Sequence, residues 1–258
     1  MQTFKIKNRY GLEIIGDVLI PEKSVGLAFV LHGLGSERNR SIIQNIVHTL
    51  FENNYTVVNF DATNSTGESE GKYENATMQL HYEDLIDVIL WAKSKEWYQQ
   101  PFILAGHSLG GYAVLQYAED YPKEVKSVFA FAATISGKFS FEARERFESE
   151  EFKKYKETGW TSRISKTTGK ILNLPYSHME ERLKHDLITD VKNINCPVLM
   201  ISGEKDTSCP PEHQKTFFDL LSSEKEIHII PDAPHTFKKQ EDLEKMKEIL
   251  NKWVQKIC

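Results

Sequence analysis

Long hydrophobic runs are missing from this chain. Its apolar stretches are of strand length, far below the ~20 residues of a bilayer-spanning helix, so no membrane span is expected. The first residues, Met1-Gln2-Thr3-Phe4-Lys5, lack the apolar core of a secretory signal. Cysteine is scarce. Cys196, Cys209 and Cys258 are widely spaced, odd in number and form no Cys-x-x-Cys pair, which excludes a disulfide framework and a structural zinc. A reduced, cytoplasmic protein is the expectation. No excess of one charge stands out either: 32 Lys and Arg face 37 Asp and Glu, a net charge of −5 that gives no global attraction for nucleic acid or anionic membranes. There is no P-loop, no dinucleotide-type glycine motif and no clustered His, Cys and Asp set, so neither a cofactor nor a metal is expected.

What is present is an alternation of strands and helices. Thr3–Lys7 and Glu13–Ile20 flank the turn-rich Asn8-Arg9-Tyr10-Gly11 and predict an antiparallel hairpin. Continuous apolar runs at Gly26–Leu31, Thr56–Phe60, Phe102–Ala105, Val125–Ala133, Pro197–Ser202 and Glu226–Ile230 read as buried strands. Between them, Ser41 can cap a helix carrying Ile42, Ile43, Ile46, Val47 and Leu50, and Leu85, Val88, Ile89 and Ala92 follow helical spacing. Helices are also predicted from about Pro211 to Leu221 and from about Gln240 to Ile257. This order predicts one α/β unit, a mostly parallel, doubly wound sheet of about eight strands. The alternation stops between 135 and 195, where charge is heavy and aromatics are scattered. That stretch is expected to be an inserted helical lid on a core formed by 1–134 and 196–258.

The motif with the most chemical content is Gly106-His107-Ser108-Leu109-Gly110-Gly111, placed between a strand and a helix. A Gly-x-Ser-x-Gly pattern also occurs in ordinary turns, but strand before and helix after is the setting of a nucleophile elbow. A serine hydroxyl is a weak nucleophile near neutral pH, so it needs an imidazole to take its proton and a carboxylate to orient the imidazole. Reactive groups of a parallel sheet gather at the carboxyl ends of its strands. Asp206 and His235 follow two such strands, completing the order serine, acid, histidine. Glu204 and Asp232 are rival acids, Asp232 being the better candidate for a turn residue. His228 sits within a strand, and His48, His81, His178, His185 and His213 are expected to be solvated. Backbone N–H groups of Leu34, in His32-Gly33-Leu34-Gly35, and of Leu109 are the expected oxyanion donors.

Together these motifs resemble the α/β-hydrolase superfamily over nearly the whole chain outside the insertion. Phe60-Asp61 with Gly67-Glu68-Ser69-Glu70-Gly71 is similar to a loop of its esterase and monoacylglycerol-lipase-like branches. Gly71-Lys72-Tyr73-Glu74-Asn75 resembles the continuation of that loop in small intracellular cinnamoyl (feruloyl) esterases. The loop departs from the pattern at Ala62-Thr63-Asn64-Ser65-Thr66, and the insertion aligns with nothing. The resemblance implies a lid-covered carboxylesterase acting on a small-molecule ester, with an acyltransferase or acyl thioesterase on the same residues as alternatives. A catalytically inactive ligand-binding fold would require a broken motif, and none is broken. Gly33 is expected beside the substrate, as are Trp160 and Tyr176 among the apolar residues of the lid. A homodimer is compatible with all of this.

Overall fold

The computed structural model describes residues 1–165 and 169–257. It opens with the expected hairpin, β1 (Gln2–Lys7) paired antiparallel to β2 (Glu13–Leu19). The chain then runs through β3 (Gly26–Leu31), α1 (Ser41–Glu52), β4 (Tyr55–Phe60), α2 (Met78–Ala92), β5 (Phe102–His107), α3 (Leu109–Asp120) and β6 (Val125–Phe131). After the insertion come β9 (Val198–Gly203), α7 (Pro211–Leu220), β10 (Lys225–Ile230) and α8 (Gln240–Ile257). These strands make one eight-stranded sheet in the order β1-β2-β4-β3-β5-β6-β9-β10, parallel from β4 to β10. Strands β3, β4, β5 and β9 are buried at every position, because helices cover both faces and leave no side for alternating polar residues. Leu85, Val88 and Leu115 of α2 and α3 pack on one face. On the other face lie Ile43 and Ile46 of α1 with Met246, Leu250 and Trp253 of α8.

One helix start and the make-up of the insertion differ from expectation. Arg40, not Ser41, is the extended residue before α1, so Ser41 is already helical and makes no capping bond. The insertion is not purely helical. It carries α4 (Gly137–Phe147), α5 (Ser149–Thr158) and α6 (Ser177–Arg182), but also an antiparallel hairpin of β7 (Trp160–Ile164) and β8 (Ile171–Pro175). Its strands are short and mostly exposed, so their side chains lack the long buried run that marks a strand in the sequence. The two ends of the insertion are held together by N–H bonds from Gly137 to the His185 carbonyl (2.9 Å) and from Leu187 to the Ile135 carbonyl (3.1 Å). Among the described residues no helix is long and apolar enough to cross a membrane.

The loop after β4 has a structural task. Asp61 takes the N–H of Arg38 (2.6 Å) and of Glu68 (2.9 Å), while the Arg38 side chain bridges Asp61, Asp17 and Glu68. A Cβ on Gly67 would fall 2.1 Å from the Asp61 carboxyl carbon, so only glycine lets the loop close over that carboxylate.

Glu119 on α3 is buried, and its Oε1 has no hydrogen-bond partner among the described residues. Burial, with the nearby charges of Asp120, Asp190 and Asp186, pushes its carboxyl up to about 8. The folded state therefore keeps a proton that the unfolded chain releases, and stability is lost as pH rises from the ordinary carboxyl range through about 8. Glu119→Gln is expected to stabilise by about 2 kcal/mol at pH 9 and by clearly less at pH 5. Urea unfolding at both pH values checks this; an equal effect at the two would contradict it.

Candidate active site

The turn between β5 and α3 holds Ser108 at φ 56° and ψ −114°, a conformation L residues rarely adopt. Small neighbours make it attainable. A Cβ on Gly106 would meet the Gly110 carbonyl at 2.2 Å, and one on Gly110 would meet the Leu31 carbonyl at 2.3 Å. The surrounding backbone clamps the turn. Ser108 N–H donates to the Phe131 carbonyl (2.9 Å), and the Ser108 carbonyl accepts from Tyr112 (3.1 Å) and Thr134 (3.0 Å).

Asp206 follows β9 and His235 follows β10, so the sheet brings both to the carboxyl end where Ser108 stands. His235 Nε2 lies 2.9 Å from Ser108 Oγ, and its Nδ1 lies 2.8 Å from Asp206 Oδ2. The carboxylate accepts at Nδ1–H, which leaves Nε2 free to accept from the serine hydroxyl. Asp206 Oδ1 accepts the N–H groups of Ser208 and Cys209, each at 2.8 Å. Burial pushes the Asp206 carboxyl up, yet the bonds from His235 and these two amides outweigh it, and its pKa lies below the usual range. Asp206 is thus a fixed anion whose negative charge faces the imidazole.

The rivals lie elsewhere. Asp232 is exposed and 3.6 Å from Lys205, and Glu204 accepts the Asp232 N–H at 3.0 Å, bracing the histidine loop. His228 pairs with Glu226 at 3.2 Å on β10. Two histidines expected to be solvated are buried instead. His81 Nε2 lies 2.7 Å from the His32 carbonyl and His178 Nδ1 lies 2.7 Å from the Ala76 carbonyl, and each takes the place of a backbone partner in a packed wall.

Ser108 and His235 line a cavity of about 570 Å³ that also touches Gly33, Leu34 and the insertion. A Cβ on Gly33 would sit 2.8 Å from the Ser108 Cβ, so glycine is what lets this loop reach the serine. Leu109 opens α3, so its N–H has no acceptor inside the helix, and no hydrogen bond from it or from the Leu34 N–H is found among the described residues. From the hairpin, Ile164 and Leu172 reach the cavity wall. Trp160 and Tyr176 do not. Trp160 is 50% exposed and borders a second cleft with Ala76 and His178. Tyr176 packs into a cluster of the insertion, edge-to-face with the Tyr155 ring at 5.2 Å and 6.3 Å from the Phe152 ring. Trp160 lies at the base of the hairpin, paired with Pro175, whereas Ile164 lies at the end next to the turn, paired with Ile171.

Two neighbours escaped sequence reasoning. His107, kept neutral by burial and by the proximity of His235 at about 3, donates from Nε2 to the His235 carbonyl at 2.9 Å and so fixes the histidine loop. The elbow pattern treats its position as free. Cys209 lines the cavity with its thiol 3.8 Å from the Thr134 hydroxyl, and only its closeness to Asp206 in the chain could have pointed to it. Burial and the Asp206 charge push that thiol up to about 12. Native Cys209 is therefore expected to alkylate with iodoacetamide at pH 8 on the order of a thousandfold more slowly than in the unfolded chain, read by peptide mass mapping. Comparable rates would show a thiolate in the cavity.

Comparison with known proteins agrees with this architecture. The model of the prolyl oligopeptidase family matches residues 43–258. An uncharacterized 31.7 kDa protein in the traX-finO intergenic region of Escherichia coli is 27% identical over 247 residues, 84% of this chain and 86% of that one. The human mitochondrial palmitoyl-protein thioesterase ABHD10 is 24% identical over 194 residues, 74% of this chain and 60% of that one. Among solved structures, Est1E from Butyrivibrio proteoclasticus with ferulic acid bound superposes with a TM-score of 0.81 at 19% identity, covering 98% of each chain. Mouse α/β hydrolase domain-containing protein 10 gives 0.80 at 19% identity, covering 100% of each. These structural likenesses establish the fold. With the family model spanning most of its length, the chain belongs to the prolyl oligopeptidase family and is an α/β-hydrolase.

Proposed function

We propose that this protein is a serine hydrolase that cleaves small carboxylic esters through an acyl-enzyme, a cytoplasmic carboxylesterase of cinnamoyl or short-to-medium acyl type. The observation that carries it is the continuous hydrogen-bonded line Asp206–His235–Ser108, with bonds of 2.8 and 2.9 Å, ending at a strained serine inside a cavity. Ser108 Oγ attacks the ester carbonyl carbon as its proton passes to His235 Nε2. Charge developing on the carbonyl oxygen is met by the N–H groups of Leu34 and Leu109. The imidazolium, steadied by Asp206, gives that proton to the departing alkoxide. A water then repeats the sequence on the acyl-serine and releases the acid. Residues 135–195 act as a lid over the core of 1–134 and 196–258, with Ile164 and Leu172 in place of Trp160 and Tyr176 against the substrate. The unpaired, buried thiols of Cys196 and Cys209 fit a reducing compartment. A thioester substrate is the second reading, favoured by the thioesterase named among the relatives.

Ser108→Ala is expected to abolish labelling by a fluorophosphonate probe and to lower kcat on the order of 10⁴-fold with the fold intact. Persisting label would assign the nucleophile to another serine. A panel of p-nitrophenyl esters, methyl ferulate, an acyl-CoA and a peptide p-nitroanilide separates the bond types, and faster turnover of the anilide than of every ester would move the reaction to peptide bonds.

In the same variants, Asp206→Asn should cost far more activity than Asp232→Asn, because only Asp206 faces the imidazole. A double change of Asp206 and His235 should cost much less than the product of the single losses, as residues of one proton-transfer unit do. Additive losses would break that unit apart.

A further inference from the structure

Although the chain is acidic overall, the cavity around Ser108 is lined by Arg40, Arg144, Arg163, Arg182 and Lys238 and, among the described residues, by a single carboxylate, that of Glu148. Arg182, the last residue of α6, is the telling one. A guanidinium held in a protein wall ordinarily faces a carboxylate. Here its Nε–H donates to the neutral His178 Nε2 at 2.9 Å, and Nη1 donates to the Ser140 hydroxyl at 3.0 Å. His178 is fixed as an acceptor because its other nitrogen donates to the Ala76 carbonyl at 2.7 Å, and burial keeps the ring neutral with a pKa of about 3. The carboxylates nearby are engaged elsewhere. Glu181 takes His185 Nε2 (2.5 Å) and the N–H groups of Met78 (3.0 Å) and Gln79 (3.1 Å), and Glu148 takes Arg144 (2.9 Å). Arg182 therefore carries a positive charge that forms no ion pair with any carboxylate among the described residues. Its orientation is set by two neutral acceptors, and of five N–H donors three remain for something else. Burial and the neighbouring Arg144 both press its pKa downward, which is the signature of a cation placed where an anion is missing.

We propose that the substrate carries a carboxylate, and that Arg182, helped by Arg144, binds it inside the cavity while Ser108 attacks the ester elsewhere on the same molecule. A planar guanidinium with its edge held by His178 and Ser140 presents paired donors that match a carboxylate. Leu34, Ile42, Ile164 and Leu172 line the same cavity and take the hydrocarbon between the two ends. The chemical class is thus a half-ester of a dicarboxylic acid, or an ester whose alcohol bears a carboxylate. Arg182 determines specificity and takes no part in bond breaking. For turnover this rests on the serine-hydrolase function proposed above; for binding it does not.

The test compares matched pairs that differ only in charge: mono-p-nitrophenyl adipate and suberate against their terminal primary amides, and 3-carboxyphenyl butyrate against 3-carbamoylphenyl butyrate. The wild type is expected to favour the charged member by at least about tenfold in kcat/KM in one of the two sets, mostly through KM, with the preference shrinking as salt rises. In Arg182→Gln the charged-to-neutral ratio is expected to fall to about one, and in Arg144→Gln to fall part of the way. Equal rates for both members of every pair in the wild type, or a ratio that survives in Arg182→Gln, would overturn the proposal. Calorimetric titration of adipate dianion into wild type and Arg182→Gln separates this outcome from failure of the hydrolase function. If no ester is turned over, heat of binding that disappears in Arg182→Gln still upholds the anion site, and no heat in the wild type refutes it. Should Arg182→Gln not fold, Arg182→Lys keeps the charge without the paired donors and is expected to retain only part of the preference.

Discussion

The left-handed turn at Ser108 is the constraint on which the rest of the molecule depends. A serine at φ 56° is strained, and it persists only because β5, α3 and the ends of β3 and β6 close around it without room for side chains. Gly106 and Gly110 are glycines because carbonyl oxygens occupy the space a Cβ would need. Gly33 allows the loop after β3 to lie against the serine itself. The parallel sheet then does the remaining positioning, since every βα connection delivers its polar residues to the same edge.

Electrostatics at this edge are arranged by burial as much as by charge. Asp206 stays ionised in a closed setting because three donors converge on it. His107 and His178 are held neutral by burial and serve as fixed hydrogen-bonding struts, one for the histidine loop and one for Arg182. The cavity combines this with a cationic wall contributed mainly by the insertion. The strained Ser108 and a guanidinium without an ion-pair partner among the described residues thus share one cavity, although they come from opposite ends of different elements.

Much of the framework was legible before any coordinates. Fully buried strands leave continuous apolar runs, and α8 leaves a long helical pattern, so their limits could be read within a residue or two. The order of Ser108, Asp206 and His235 was legible because each follows a strand in a fold where strand ends converge. The insertion was not. Its hairpin is short and exposed, so β7 and β8 bury little and imprint no periodicity. Trp160 and Tyr176 looked like substrate contacts by composition, but Trp160 sits at the base of the hairpin beside a separate cleft and Tyr176 packs in a local aromatic cluster.

By itself the sequence determined the α/β class, the strand–turn–helix setting of Ser108 and the order in which Ser108, Asp206 and His235 follow strand ends, because these rest on local patterns of apolarity, glycine and strand ends. Tertiary structure alone decided which side chains surround the serine. His107, at the end of β5, meets the loop of His235, Cys209 enters through the loop after β9, and Arg182 enters because bonds from Gly137 to His185 and from Leu187 to Ile135 draw the insertion together beside the sheet edge. Such proximity is a property of closed loops and buried charge, and no spacing along the chain encodes it.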